Sequence, residues 1–145
     1  MTKYPEAYSD PKVENFLTSF YKVSDTVGAD AAYVNQFYKD AKLTMGLKVA
    51  DGFDQITELR KGMWGPVIGR HHVLKQVFPF QPAGAREGDY ALEGTVDYSL
   101  HNGKTVHVEW AAKMVLDRGE EGNDPKIIFY QVYVDPSPVA KALST

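Results

Sequence analysis

The hydrophobic period of this chain changes near Trp64, and that change limits the fold more than any single motif. Upstream, apolar residues recur three and four positions apart, the spacing of a helix face. Val13, Phe16, Leu17 and Phe20 form such a face over residues 11–24, and Asp10-Pro11 supplies an N-cap and a first-turn proline. Asp30 can cap a second helix with Val34, Phe37, Tyr38 and Ala41 on one side. Ile56, Leu59 and Met63 mark a third, ended by "GMWGP". Between those two, "KLTMGLKVADG" reads as a short strand closed by an Asp-Gly turn.

Downstream the period is two. "HHVLKQVF", "YALEGTVDYSL", "KTVHVEWAAKMVLD" and "KIIFYQVYV" read as four strands. A Pro- and Gly-rich loop, an "HNG" hairpin and the charged turn "RGEEGNDP" separate them, and "DPSPVAKALST" follows as a tail. Helices first and antiparallel strands after describe an α+β fold, with three helices on the inner face of a bent, mostly antiparallel sheet. No repeat or linker interrupts residues 1–145, so they read as one domain.

Alternation assigns faces. In the longest strand Val106, Val108, Trp110, Ala112, Met114 and Leu116 should face inward, which turns His107 and Glu109 outward. "HVE" has the spacing of half a metal site, but its parity suits a solvated or dimer-facing surface better. In "HHVLKQVF" the residue most costly to bury is Lys75. Its face, with His71, Val73 and Val77, should be the outer one, leaving His72, Leu74, Gln76 and Phe78 inside. In the strand before the hairpin, Leu92, Gly94, Val96 and Tyr98 share the inner face, and Asp97 the outer.

The net charge of −3 and the absence of a basic stripe argue against nucleic acid and anionic membrane as partners. There is no cysteine, which removes disulfides, thiol catalysis and thiolate metal sites together. "MTKYPEAYSDPK" lacks the apolar core of a signal peptide, and no apolar run reaches membrane-spanning length, so a soluble, cytoplasmic protein is expected. No nucleophile triad, phosphate loop or zinc motif is present in the sequence.

The order helix, helix, short strand, Gly-led helix, four strands resembles the cone-shaped nuclear-transport-factor-2-like superfamily. Within it the chain looks most like the SnoaL-like branch of polyketide cyclases and scytalone dehydratase. The resemblance runs through "DGFDQITELRKGMW", "HHVLKQVF", "EWAAKMVLDRG" and "KIIFYQVYVDPSPV" and covers nearly the whole chain. It implies an apolar pocket between the helices and the concave sheet, in which acid–base chemistry proceeds without cofactor or metal. Setting the last strand against the isomerases of that superfamily turns Ile128, Tyr130, Val132 and Val134 inward and Phe129, Gln131 and Tyr133 outward. That outer face, with His107 and Glu109, suits a homodimer partner.

The resemblance also supplies candidate roles. His72 falls where dehydratase relatives carry a histidine at the head of this strand, which would make it the general acid or base. Asp25, in "KVSDTV", stands near an aspartate of those relatives, although Ser24 replaces the tyrosine that precedes theirs. Tyr98 would orient a substrate oxygen. Trp64, Trp110 and Tyr130, with Leu74 and Met114, would wall the pocket around a small apolar metabolite. Ala112 occupies the place of the isomerases' oxyanion-stabilising aspartate, so a steroid-isomerase mechanism is not implied. Two readings follow. One is a cofactor-free cyclase, isomerase or dehydratase of an apolar oxygenated metabolite such as a polyketide or terpenoid. The other is a non-catalytic ligand-binding or dimerisation module.

Overall fold

The computed structural model describes residues 1–144. Helix α1 (Pro11–Ser24) starts where the sequence placed it: the Asp10 carboxylate accepts the Val13 N–H, and Pro11 occupies the first turn. Its buried stripe is Val13, Leu17, Phe20 and Tyr21. Helix α2 (Asp30–Val34) is short and is followed by strand β1 (Phe37–Met45). The expected helical face through Phe37, Tyr38 and Ala41 is therefore a correction. Phe37, Ala41 and Leu43 are buried from a strand, because β1 pairs in parallel with the last strand, Leu43 opposite Tyr130. The five residues from Phe37 to Ala41, compatible with a helix, lose to a sheet neighbour that lies far away in sequence.

The reversal comes at Gly46, whose φ of +61° suits a residue without a side chain, and leads into β2 (Lys48–Asp51). "KLTMGLKVADG" is thus one hairpin rather than one strand with an Asp-Gly turn. Asp51 and Gly52 instead open helix α3 (Gly52–Lys61). Then come β3 (Val67–Pro79), β4 (Glu87–Leu100), β5 (Thr105–Asp117) and β6 (Lys126–Val134). The tail contains a fourth helix, α4 (Ser137–Leu143), where no element was expected.

The six strands form one mixed sheet in the order β2-β1-β6-β5-β4-β3, antiparallel except for β1 beside β6. Its apolar face carries Leu92, Val96, Trp110, Ala112, Met114 and Tyr130, and α1 to α3 cover it. The strand alternation in β5 holds throughout: Val108 to Leu116 are buried at every second position, with Val106 half-buried at the end.

Two bulges displace expected faces. In β3, Leu74 lies opposite Gly94 and Gln76 opposite Glu93, so Lys75 is the extra residue. Beyond it the parity inverts: Val77 is 2% exposed and Phe78 48%, the reverse of the expected arrangement. In β6, Leu116 pairs with Ile127 while Val115 pairs with Phe129, so Ile127 is fully buried and Ile128 is the displaced residue. The outer edge of β3 is not left open. The Lys3 N–H donates to the Lys75 carbonyl (2.8 Å), and Lys3 in turn accepts the Val77 N–H (3.0 Å), a short strap at the bulge. Among the described residues no helix is long and apolar enough to cross a membrane.

Candidate active site

The end of α1 and the start of β3 meet in a polar pair. Asp25 is the C-cap of α1, and its N–H still bonds the Tyr21 carbonyl. Its carboxylate closes on His72 twice, accepting the backbone N–H (2.8 Å) and the ring Nδ1 (2.5 Å). Both side chains are largely buried, 13% exposed for His72 and 17% for Asp25. A hydrogen bond to the carboxylate fixes Nδ1 as the protonated nitrogen of the neutral ring and leaves Nε2 as an acceptor. The ring is held by two aromatic neighbours, Tyr21 at 5.3 Å and Trp110, nearly perpendicular to it, at 5.8 Å between centroids. Tyr21 is one turn before Asp25 on α1, so a single helix end supplies both contacts.

The turn carrying Asp25 is clamped from α3. Arg60 is fully buried; its guanidinium donates to the carbonyls of Ser24 (2.8 Å) and Thr26 (2.8 Å), on either side of Asp25, and to the Asp30 carboxylate (3.1 Å). A buried arginine is tolerable only with such partners. Sequence reasoning missed Arg60, which no motif singles out.

His72 stands between two spaces. On the Asp25 side lies an open cleft of about 360 Å³ lined by Thr18, Tyr21, Lys22, Asp25, His71 and Leu74. On the other lies an enclosed cavity of about 30 Å³ between Ser24, Tyr33, Arg70, Tyr98, Trp110 and Tyr130, with Val96, Met45, Val132 and Val134. Tyr33, Trp110 and Tyr130 are buried, whereas Met45, Arg70, Tyr98 and Val134 are half-exposed and form the rim. Across the floor the Tyr21 and Tyr130 hydroxyls hydrogen-bond at 2.9 Å, and burial raises the pKa of both phenols above the ordinary tyrosine range. Burial also raises Tyr98, with the Arg70 charge opposing it.

Of the expected site residues, His72, Asp25, Tyr98, Trp110 and Tyr130 are brought together. Leu74 lines the outer cleft instead of the cavity. Met114 is fully buried in the core beside Tyr130, its sheet partner. Trp64 lies outside the lining and stacks against two guanidinium groups, Arg60 and Arg70, each 5.2 Å from its ring. His71 points to the outside, exposed, as expected from its shared face with Lys75. His107 sits on the outer face with Asp97, Nδ1 to Oδ1 at 2.5 Å, both exposed.

Arg70 is the cavity residue the sequence reading overlooked. It lies two positions before His72 and so shares its face. The parity that turned His72 inward was sufficient to find it.

No protein-family model and no curated protein sequence matches the chain. Solved structures do. A protein of Novosphingobium aromaticivorans described as a candidate aromatic ring hydroxylase superposes with a TM-score of 0.74 at 16% identity, over 88% of this chain and 94% of that one. A hexachlorocyclohexane dehydrochlorinase gives 0.72 at 10% identity, over 86% and 84%. Nuclear transport factor 2 of Cryptosporidium parvum gives 0.69 at 13% identity, over 93% and 100%. The chain has the nuclear-transport-factor-2-like fold.

Proposed function

We propose that the protein is a cofactor-free acid–base enzyme of the SnoaL-like kind, a lyase, isomerase or cyclase that moves protons on a small oxygenated apolar metabolite. The observation that carries this reading is the doubly bonded Asp25–His72 pair, whose imidazole lines an aromatic cavity. A carboxylate on Nδ1 orients the ring and stabilises the imidazolium that forms when Nε2 takes a proton. The simplest step is abstraction of a proton from carbon next to a carbonyl. The C–H pair becomes a C=C bond, and the carbonyl π pair moves to oxygen. In a β,γ-unsaturated ketone the enolate is a dienolate, and return of the proton at its γ-carbon isomerises the substrate; loss of a β-hydroxyl as water, with the proton delivered from His72, dehydrates it. None of these outcomes needs a redox partner. That a dehydrochlorinase shares the fold supports an elimination chemistry only at the level of architecture.

The test is proton exchange. Enolisable ketones incubated with the protein in D₂O should lose their α-proton NMR signals faster than in buffer. Asp25→Asn and His72→Gln should each lower that rate by about 10²- to 10⁴-fold, the usual range for a general base. Ligand binding without exchange would favour the second reading, a binding module. That reading draws support from the small closed cavity, which admits one functional group rather than a polycyclic body.

For the outer face of the sheet the proposed partner is a second copy of the chain. Phe78, Phe80 and Tyr133 are exposed there around a groove of about 740 Å³.

A further inference from the structure

The wall beside His72 has more donors than the described residues satisfy. Arg70 Nε and Trp110 Nε1 are buried and have no hydrogen-bond partner among the described residues. Arg70 is a cation with no carboxylate in contact among the described residues: one terminal nitrogen donates to the Met63 carbonyl, and the guanidinium lies over Trp64 and Tyr98, 5.2 Å from each ring. Burial lowers its pKa, as expected of a charge that has left water without a counter-ion. The one carboxylate nearby, Asp25, is engaged by His72. Ring faces recover only part of the hydration a guanidinium loses. Both side chains line a space of about 30 Å³, room for about two water molecules or one oxygen-bearing group.

We propose that the cavity receives one negatively charged oxygen of the substrate, a phenolate or an enolate, with Arg70 as its counter-charge and Trp110 Nε1 as the second donor. Its apolar body would remain at the rim, between Met45, Tyr98 and Val134. The inference deepens the acid–base reading by naming the class of substrate: an enolisable ketone or a phenol whose oxygen goes in first. Along a strand, alternate residues are about 6.6 Å apart. Arg70 and His72 are spaced to hold the oxygen and take the proton from the same small fragment. A charged acceptor strengthens each hydrogen bond, so the site favours the enolate over the parent ketone.

The probe is 4-nitrophenol at a pH where it is ionised, compared with its neutral isostere 4-nitroanisole. Wild type should bind the phenolate about 10- to 100-fold more tightly, the value of one or two charge-assisted hydrogen bonds. There are two tryptophans, so two indole N–H signals are expected in a ¹⁵N correlation spectrum. That of Trp110 should move on binding of the phenolate. Arg70→Met should equalise the two affinities and Arg70→Lys should restore part of the preference. Asp25→Asn should keep the preference while losing proton exchange, so that failure of this proposal is distinct from failure of the dyad. Equal affinity of wild type for the two compounds, or no binding of phenolate, overturns the proposal whether or not the variants fold. A preference that survives in folded Arg70→Met overturns the role of Arg70.

Discussion

Gly94 and Trp110 occupy one another's space: a Cβ on Gly94 would lie 2.9 Å from Trp110 Cζ2 and 2.0 Å from the Val73 carbonyl oxygen. The absent side chain leaves room for the Val73 carbonyl, next to the bulge at Lys75, and for the indole, which packs edge to face with the His72 ring. Gly94→Ala should therefore cost more than a surface glycine replacement, about 2 to 4 kcal/mol by urea unfolding, because backbone must move as well as a side chain. It should also shift the Trp110 indole signal. An unchanged midpoint would mean that the bulge relaxes freely.

Asp25 should set the tautomer of His72. In a ¹⁵N long-range correlation spectrum of the neutral ring, Nδ1 should be the protonated nitrogen and Nε2 the bare one. Asp25→Asn should disturb that assignment without unfolding the chain, since Arg60 holds the turn by its backbone carbonyls.

Acid should destabilise the protein partly through Asp10. Burial alone would raise this carboxyl. Hydrogen bonds from Arg118 and from the backbone N–H groups of Gly84 and Val13 outweigh it, and the folded-state pKa lies below the ordinary aspartate value. A depressed folded pKa contributes stability that is present above the unfolded value of about 4 and is lost as pH falls through the folded one. Asp10→Asn should lower stability at pH 7 by about 2 to 4 kcal/mol, combining the weakened cap and the unpaired Arg118, and the difference should shrink below pH 4.

The Tyr21–Tyr130 hydroxyl pair should behave as a coupled unit. Either Tyr→Phe change strands a buried hydroxyl and should cost about 1 to 3 kcal/mol. The double change removes both groups and should cost clearly less than the sum, a departure a double-mutant cycle reads directly. Additivity would mean that the two hydroxyls are satisfied separately.

The outer-face patch predicts a dimer. Light scattering should report twice the chain mass at micromolar concentration, and Phe80→Asp with Tyr133→Asp should return the monomer with unchanged circular dichroism. A wild-type monomer at high concentration would remove the proposed partner.

Local sequence was enough for α1, for the alternation of β5 and for the four strands after Trp64, because caps, breakers and side-chain period act within a few residues. It was also enough to turn His72 inward, since the cost of burying Lys75 applies before the bulge is reached. The same reasoning failed past Lys75, at Val77 and Phe78, and the comparison with the isomerases failed at Ile128, where Ile127 is buried instead. A bulge is set by what the neighbouring strand presents, here the bare backbone of Gly94, and no period within β3 announces it.

The site divides in the same way. Sequence alone determined which residues could do acid–base work and which face of a strand each would occupy, because those properties belong to one side chain and its near neighbours. Only the tertiary structure decided that Asp25 meets His72, 47 positions away, that Arg60 fixes the turn carrying Asp25, and that Arg70 has no carboxylate in contact among the described residues. These are relations between surfaces brought together by packing helices on a sheet. Their energies depend on burial and on the partners that burial excludes, and neither quantity exists until the chain has folded.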